Sequence, residues 1–136
     1  MALDPLDVVT PRNHALLQEG TIVPTDVGEH DPILVDMSGW REYRWRLSDR
    51  LSGEGVALRV KLQAPNVLAP VGLVAAGRGV TVCPESLIGV LGDNVEVRPA
   101  HHPGFRIRTV LVWRRTNRSP QVRVLVDMAK RLPARR

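Results

Sequence analysis

Cysteine is almost missing from this chain of 136 residues: Cys83 stands alone. An internal disulfide is therefore excluded, and a lone thiol suits a reducing compartment. Long apolar runs are missing too. Residues 68–76 are interrupted by Pro70 and Gly72, residues 109–113 are short, and neither approaches the roughly 20 residues that span a bilayer. No stretch near the start joins a basic segment to an apolar one, so no secretion signal is expected. These absences predict a cytoplasmic protein with no membrane association. Aromatic residues make up only 4% of the chain and lysine occurs twice, so the formal charge of +5 is carried by seventeen arginines. Arginine grips carboxylates and phosphates well. The arginines are nevertheless spread along the chain, densest at 41–50 and 114–123, without the aromatic interleaving of a single-strand-binding face. A generic soluble surface is the expectation, with no direct DNA binding by this chain. The length fits one domain that can bury a core without disulfides or a structural metal.

What is present is an alternation of strand and helix patterns. Leu6, Val8 and Val9 favour a strand over residues 6–10, which Pro11 stops. A polar loop with His14, Leu16 and Leu17 runs to Pro24, and Thr25, Asp26 and Gly28 predict one helical turn. Ile33–Val35 is a second short strand. Ser38 caps an amphipathic helix to about Leu51, with Trp40, Tyr43, Leu47 and Leu51 on one face. Val56, Leu58, Val60 and Leu62 then alternate with Ala57, Arg59, Lys61 and Gln63, the period of a half-wet strand. The next helix runs to Gly77 and starts either with Asn66 as N-cap or nearer Pro70; it is apolar nearly all round and expected to be buried.

Residues 80–83 read as a strand from the middle of a parallel sheet, and residues 87–91 as a short helix or turn. Val95 and Val97 mark another strand, and residues 107–113 a further one. Ser119 and Pro120 are N-cap and first position of a final helix that buries Val122, Leu125, Val126, Ala129 and Leu132 on one stripe. This order predicts an α/β fold with a mostly parallel sheet. Ligands of such sheets bind beyond the carboxyl ends of the strands, where residues 63–67 and 84–86 fall.

No catalytic motif accompanies that placement. Cys83 lies in an apolar strand with no neighbouring charge in sequence to lower its pKa, which reads as a structural thiol. His101 and His102 are adjacent and have no second ligand pair at a metal-binding spacing. Gly77-Arg78-Gly79 follows a helix, whereas a phosphate cradle precedes one. No Gly-flanked serine elbow or paired carboxylates stand out, so neither an enzyme nor a cofactor is expected. The amides that open the helix after Asn66 remain as an anion site, with simple capping by Asn66 as the alternative.

Leu73-Val74-Ala75-Ala76-Gly77-Arg78-Gly79-Val80, followed by Val82-Cys83-Pro84-Glu85-Ser86-Leu87, resembles the most recognisable stretch in the effector-binding domain of LysR-type transcriptional regulators. Pro11 and His14, Asp31-Pro32-Ile33-Leu34, residues 95–99, and Leu111-Val112-Trp113-Arg114-Arg115 through Ser119-Pro120 agree with it in order and spacing. The resemblance implies a periplasmic-binding-protein-like lobe that senses a small molecule, often an organic anion, in a cleft between two lobes. The matching cleft positions are Pro65, Asn66 and Val67, with Pro84 at the second turn. It also implies residues 1–10 as a crossover strand, 11–105 as the effector-binding lobe, and 106–136 as the return strand and C-terminal helix of an incomplete first lobe. No helix-turn-helix is found in the sequence. Two functions follow as expectations: a truncated effector-binding part, or an interaction module that dimerises with a full-length regulator. Either leaves apolar surface on residues 107–113 and the last helix, and with it self-association.

Overall fold

In a computed structural model of the chain, the described residues are 2–35, 49, 52–53, 62–64, 66 and 68–132. The helix expected from Ser38 to Leu51 lies outside them except for Asp49, as does the alternating strand before Leu62.

The first strand, β1 (Ala2–Pro11), organises the rest. Leu6 and Val8 project into one apolar cluster with Leu16, Ile22, Val27, Leu34, Val80, Val82 and Phe105. Val9, on the opposite face, joins Ile33, Val74 and Cys83. Alternate residues thus feed two cores, which is why residues 6–9 read as almost continuously apolar rather than two-faced. On one side β1 pairs antiparallel with β4 (Thr81–Pro84), Leu6 opposite Pro84 and Val9 opposite Thr81. On the other it pairs antiparallel with β5 (Val95–Pro99). Its first residues, Ala2 to Pro5, pair with β6 (Arg106–Thr109).

Between these come β2 (Ile33–Val35) and β3 (Leu62–Ala64), which are parallel to each other. A parallel bridge from Pro32 to Val80, closed by the Ile33 amide on the Val80 carbonyl at 2.8 Å, joins this pair to β4. The resulting strand order is β3-β2-β4-β1-β5. The α/β expectation holds, but the sheet is mixed rather than mostly parallel: all three ladders of β1 are antiparallel. Residues 80–83 are as buried as expected, yet their strand lies between one parallel neighbour and one antiparallel one. A strand that crosses back through a parallel sheet carries no periodicity that distinguishes its direction.

Besides the helical residues Asp49, Ser52 and Gly53, the described fold has three α-helices. The first, α1 (Pro24–Glu29), has Pro24 in its first turn and the Asp26 carboxylate accepting the Val23 amide at 2.7 Å. The second, α2 (Leu68–Ala75), packs on β1 and β2, with Val74 against Val9 and Ile33 and with Pro70 also buried. Its other faces are open, with Leu68 60% exposed, so an all-round apolar sequence here does not mean all-round burial. The third, α3 (Pro120–Arg131), begins after Ser119 as expected, but the Ser119 hydroxyl bonds to the Gln121 side chain and not to a helix amide. Of the apolar stripe assigned to α3 only Val126 is buried; Leu125 and Leu132 are 55% and 72% exposed. The strand expected over residues 107–113 ends at Thr109, and Val110 to Trp113 are exposed outside any ladder.

Candidate functional site

Because β2 and β3 are parallel and β4 meets β2 in the same sense, their carboxyl ends lie along one edge of the sheet. Asn66 follows β3 there and Pro84 closes β4. The sequence placed both at strand ends and the structure agrees. Pro65 and Val67 lie outside the described residues.

Asn66 acts first as a cap. Its Oδ1 accepts the amides of Leu68 at 3.1 Å and Ala69 at 2.8 Å, two of the donors that the first turn of α2 leaves without intrahelical partners. Pro70 is the third helical residue, where an N–H would have no carbonyl to reach, so its ring costs the helix nothing. The amides expected to await an anion are therefore in use. Spending Oδ1 on the backbone fixes the side-chain amide, however, and leaves Nδ2 with two donors at an exposed position.

The Pro84 turn has its own cap, contributed from far away in sequence. The Asp4 carboxylate of β1 accepts both the amide and the hydroxyl of Ser86 at the start of a 3-10 helix (Glu85–Val90). Asp7, buried beside it, has its carboxyl pushed above the usual range by burial and then by the charges of Glu85 and Asp4. Burial, with Asp7 and Asp4, also pushes the Cys83 thiol up to about 11. Cys83 is thus a protonated core thiol, as its apolar strand suggested. Asp4 was not singled out from the sequence; the 82 residues that separate it from Ser86 leave no local pattern to read.

At the opposite end of the sheet a cavity of about 540 Å³ opens beside His14 and His30, whose rings meet edge to face with centroids 5.1 Å apart. None of the four expected site residues lines it. His102, weighed in sequence as half of a metal pair, instead accepts the Gly104 amide at 3.0 Å and stands against the buried Phe105 ring. Among the described residues no group of three or more His, Cys, Asp or Glu side chains could hold a metal ion, and no helix is long and apolar enough to cross a membrane.

The family model of the LysR substrate binding domain matches residues 1–134. The effector binding domain of BenM with its effector benzoate is similar in structure, with a TM-score of 0.66 and 23% identity over 76% of this chain and 48% of that one. The effector binding domain of QuiR in complex with shikimate gives 0.67 and 19% over 94% and 60%. Full-length BenM gives 0.71 and 20% over 94% and 43%. The chain thus spans about half the length of the BenM effector domains it matches. No curated protein matches it in sequence.

Proposed function

Since the chain belongs to the LysR substrate-binding domain family, we propose that it is the small-molecule-binding part of a cytoplasmic transcriptional regulator, not an enzyme, and that its effector is an organic anion. Residues 11–105 form the effector-binding lobe, residues 1–10 the crossover strand, and residues 106–136 the return to an incomplete first lobe. The pairing of β6 with Ala2 to Pro5 alone supports that partition, because it sets the return strand apart from the β4 and β5 ladders. The effector lies at the carboxyl edge of the sheet, against Pro65, Asn66, Val67 and Pro84.

One observation carries this placement: Asn66 is held by its own helix so that its Nδ2 donors remain for a ligand. A carboxylate accepting from Nδ2 also sits near the positive end of α2. Benzoate and shikimate, carried by the BenM and QuiR structures, are both carboxylates, which fits such a donor. Binding regulates only if the effector favours one lobe arrangement over another.

Thermal-shift titration with aromatic and dicarboxylic acids tests the proposal. A stabilising acid is expected to lose its effect in Asn66→Asp, which keeps the helix cap but removes both donors and adds a negative charge. Equal stabilisation of the two proteins would remove Asn66 from the site. Stabilisation by none of the acids would remove the anion reading.

A second reading is favoured by the exposed apolar side chains of Val112, Leu125 and Met128: the chain pairs with a full-length regulator through that surface. Co-purification of the two supports it, and a mixture that sediments as separate species rules it out.

A further inference from the structure

β1 changes partners partway along its length. Ala2 to Pro5 pair with β6, whereas Leu6 to Val9 pair with β4 and Asp7 to Pro11 with β5. The change falls between Asp4 and Asp7, and both carboxylates lie beside the turn that leaves β4. The Asp4 carboxylate accepts the Ser86 amide at 3.2 Å and the Ser86 hydroxyl as well. Asp7 stands opposite Cys83 and Leu6 opposite Pro84, so Glu85 follows at the end of the same ladder. Three carboxylates therefore meet where β1 passes from one ladder to the next.

Among the described residues nothing neutralises them. Asp7 is 8% exposed, and the charges that act on it, those of Glu85 and Asp4, are both negative. The Cys83 thiol beside it is uncharged below alkaline pH. On β5 the Arg98 guanidinium is turned to Glu96 and to the Val97 carbonyl. β6 brings Arg106 opposite Pro5 and Arg108 opposite Leu3, both exposed and neither paired with these carboxylates. α2, which also packs on β1, has no titratable side chain. Of the three acids, Asp4 has two donors to stabilise its charge and Glu85 is exposed to water. Asp7 has neither among the described residues, so a proton taken up at this joint goes to Asp7.

We propose that this joint is a proton-operated clasp: a proton on Asp7 lets Asp4 keep hold of Ser86, and its loss drives the Glu85 turn away from β1. When the turn is released, Glu85 moves off and water reaches Asp7, whose carboxyl returns to its ordinary 3.8. In the closed joint, burial and the charges of Glu85 and Asp4 hold it above that value, so the closed form binds the proton more tightly. The clasp is therefore firmest below pH 3.8 and loosens as the pH rises through the folded value. It does not depend on a ligand at Asn66 or Pro84.

Two NMR measurements on the isotope-labelled chain test the clasp. One is the pH titration of the Asp7 side-chain carboxyl carbon. The other is the protection of the Ser86 amide against hydrogen exchange, corrected for the intrinsic rate and referred to the Ile33 amide, which bonds to the Val80 carbonyl in the core. Asp7 is expected to titrate above 3.8. Ser86 protection should rise at least ~3-fold from about pH 7 to about pH 4, following the Asp7 curve. Asp7→Asn should hold Ser86 at its acid level across that range. Glu85→Gln, at an exposed position, should raise protection at neutral pH and shrink the rise. Ser86→Ala removes one bond of the clasp without altering any charge, and should bring the Asp7 titration back toward 3.8. The proposal is overturned if Ser86 protection ignores pH, if the rise persists in Asp7→Asn, if Glu85→Gln gains no protection, or if Ser86→Ala leaves the Asp7 titration unmoved.

Discussion

Gly79 sits where no other residue fits. Its φ of +152° is foreign to residues with a side chain, and an added Cβ would overlap the carbonyl oxygen of Asp31, the oxygen that accepts the Val80 amide in the bridge between β2 and β4. Backbone cannot move aside as a flexible side chain can. Gly79→Ala is therefore expected to cost about 3 kcal/mol, read as a lowered urea midpoint with an unchanged slope. Cys83 gives a second expectation at this scale. Its folded pKa of about 11 lies above the ordinary 9.0, so in alkali the unfolded chain releases the proton first. Stability should hold up to about pH 9 and decline between 9 and 11, and iodoacetamide at pH 8 should label the unfolded chain far faster than the native one. His14 works the other way. Its pKa is lowered from 6.5, so below that pH the unfolded chain takes up the proton first and stability falls as the medium is acidified. Denaturant midpoints measured from pH 7 downward should show this fall, and His14→Gln should flatten it.

At the scale of elements, Asn66 closes α2 with two side-chain bonds. Asn66→Ala should cost about 1 kcal/mol, whereas Asn66→Asp should cost little, a contrast that thermal melting can read without any ligand. Much of this level was legible in the sequence because it depends on neighbours. Pro32 stands just before β2, Pro24 and Asp26 set α1, and Asn66 stands two residues before its helix. Asp4 was not legible, since it caps a turn reached only after the chain has folded back. Nor was the direction of the strands around β1, because a strand buried on both faces shows the same run of Val and Leu whichever way its neighbours travel. The cavity between Glu29 and Arg78 was not read from the sequence either: its lining comes from the loop after β1, the turn after α1, the start of β3 and the end of α2 with the turn that follows it, segments that meet only in the folded chain.

For the whole molecule, the failure of α3 to bury its stripe is informative. The helix has the periodicity of a packed element, yet Leu125, Met128 and Leu132 face outward, and Val112 on the preceding segment is 83% exposed. Isolated apolar residues on a surface need no explanation, but a helix face and an adjoining extended segment that are both apolar form a patch of the kind that is normally covered. The aligned part of this chain covers only 48% of the BenM effector domain, so that domain has further chain to supply such a cover. Without one, a second copy is the available partner, and a contact of a patch with its own counterpart closes as a two-fold dimer. The chain alone is therefore expected to sediment as a dimer or larger. Introducing charge by Val112→Lys with Leu125→Glu and Met128→Lys should weaken association at least ~10-fold without lowering Tm, because none of the three side chains is in either core. A parent chain that stays monomeric while the amides of α3 exchange slowly would show that the face is stable uncovered, and self-association would then have no basis.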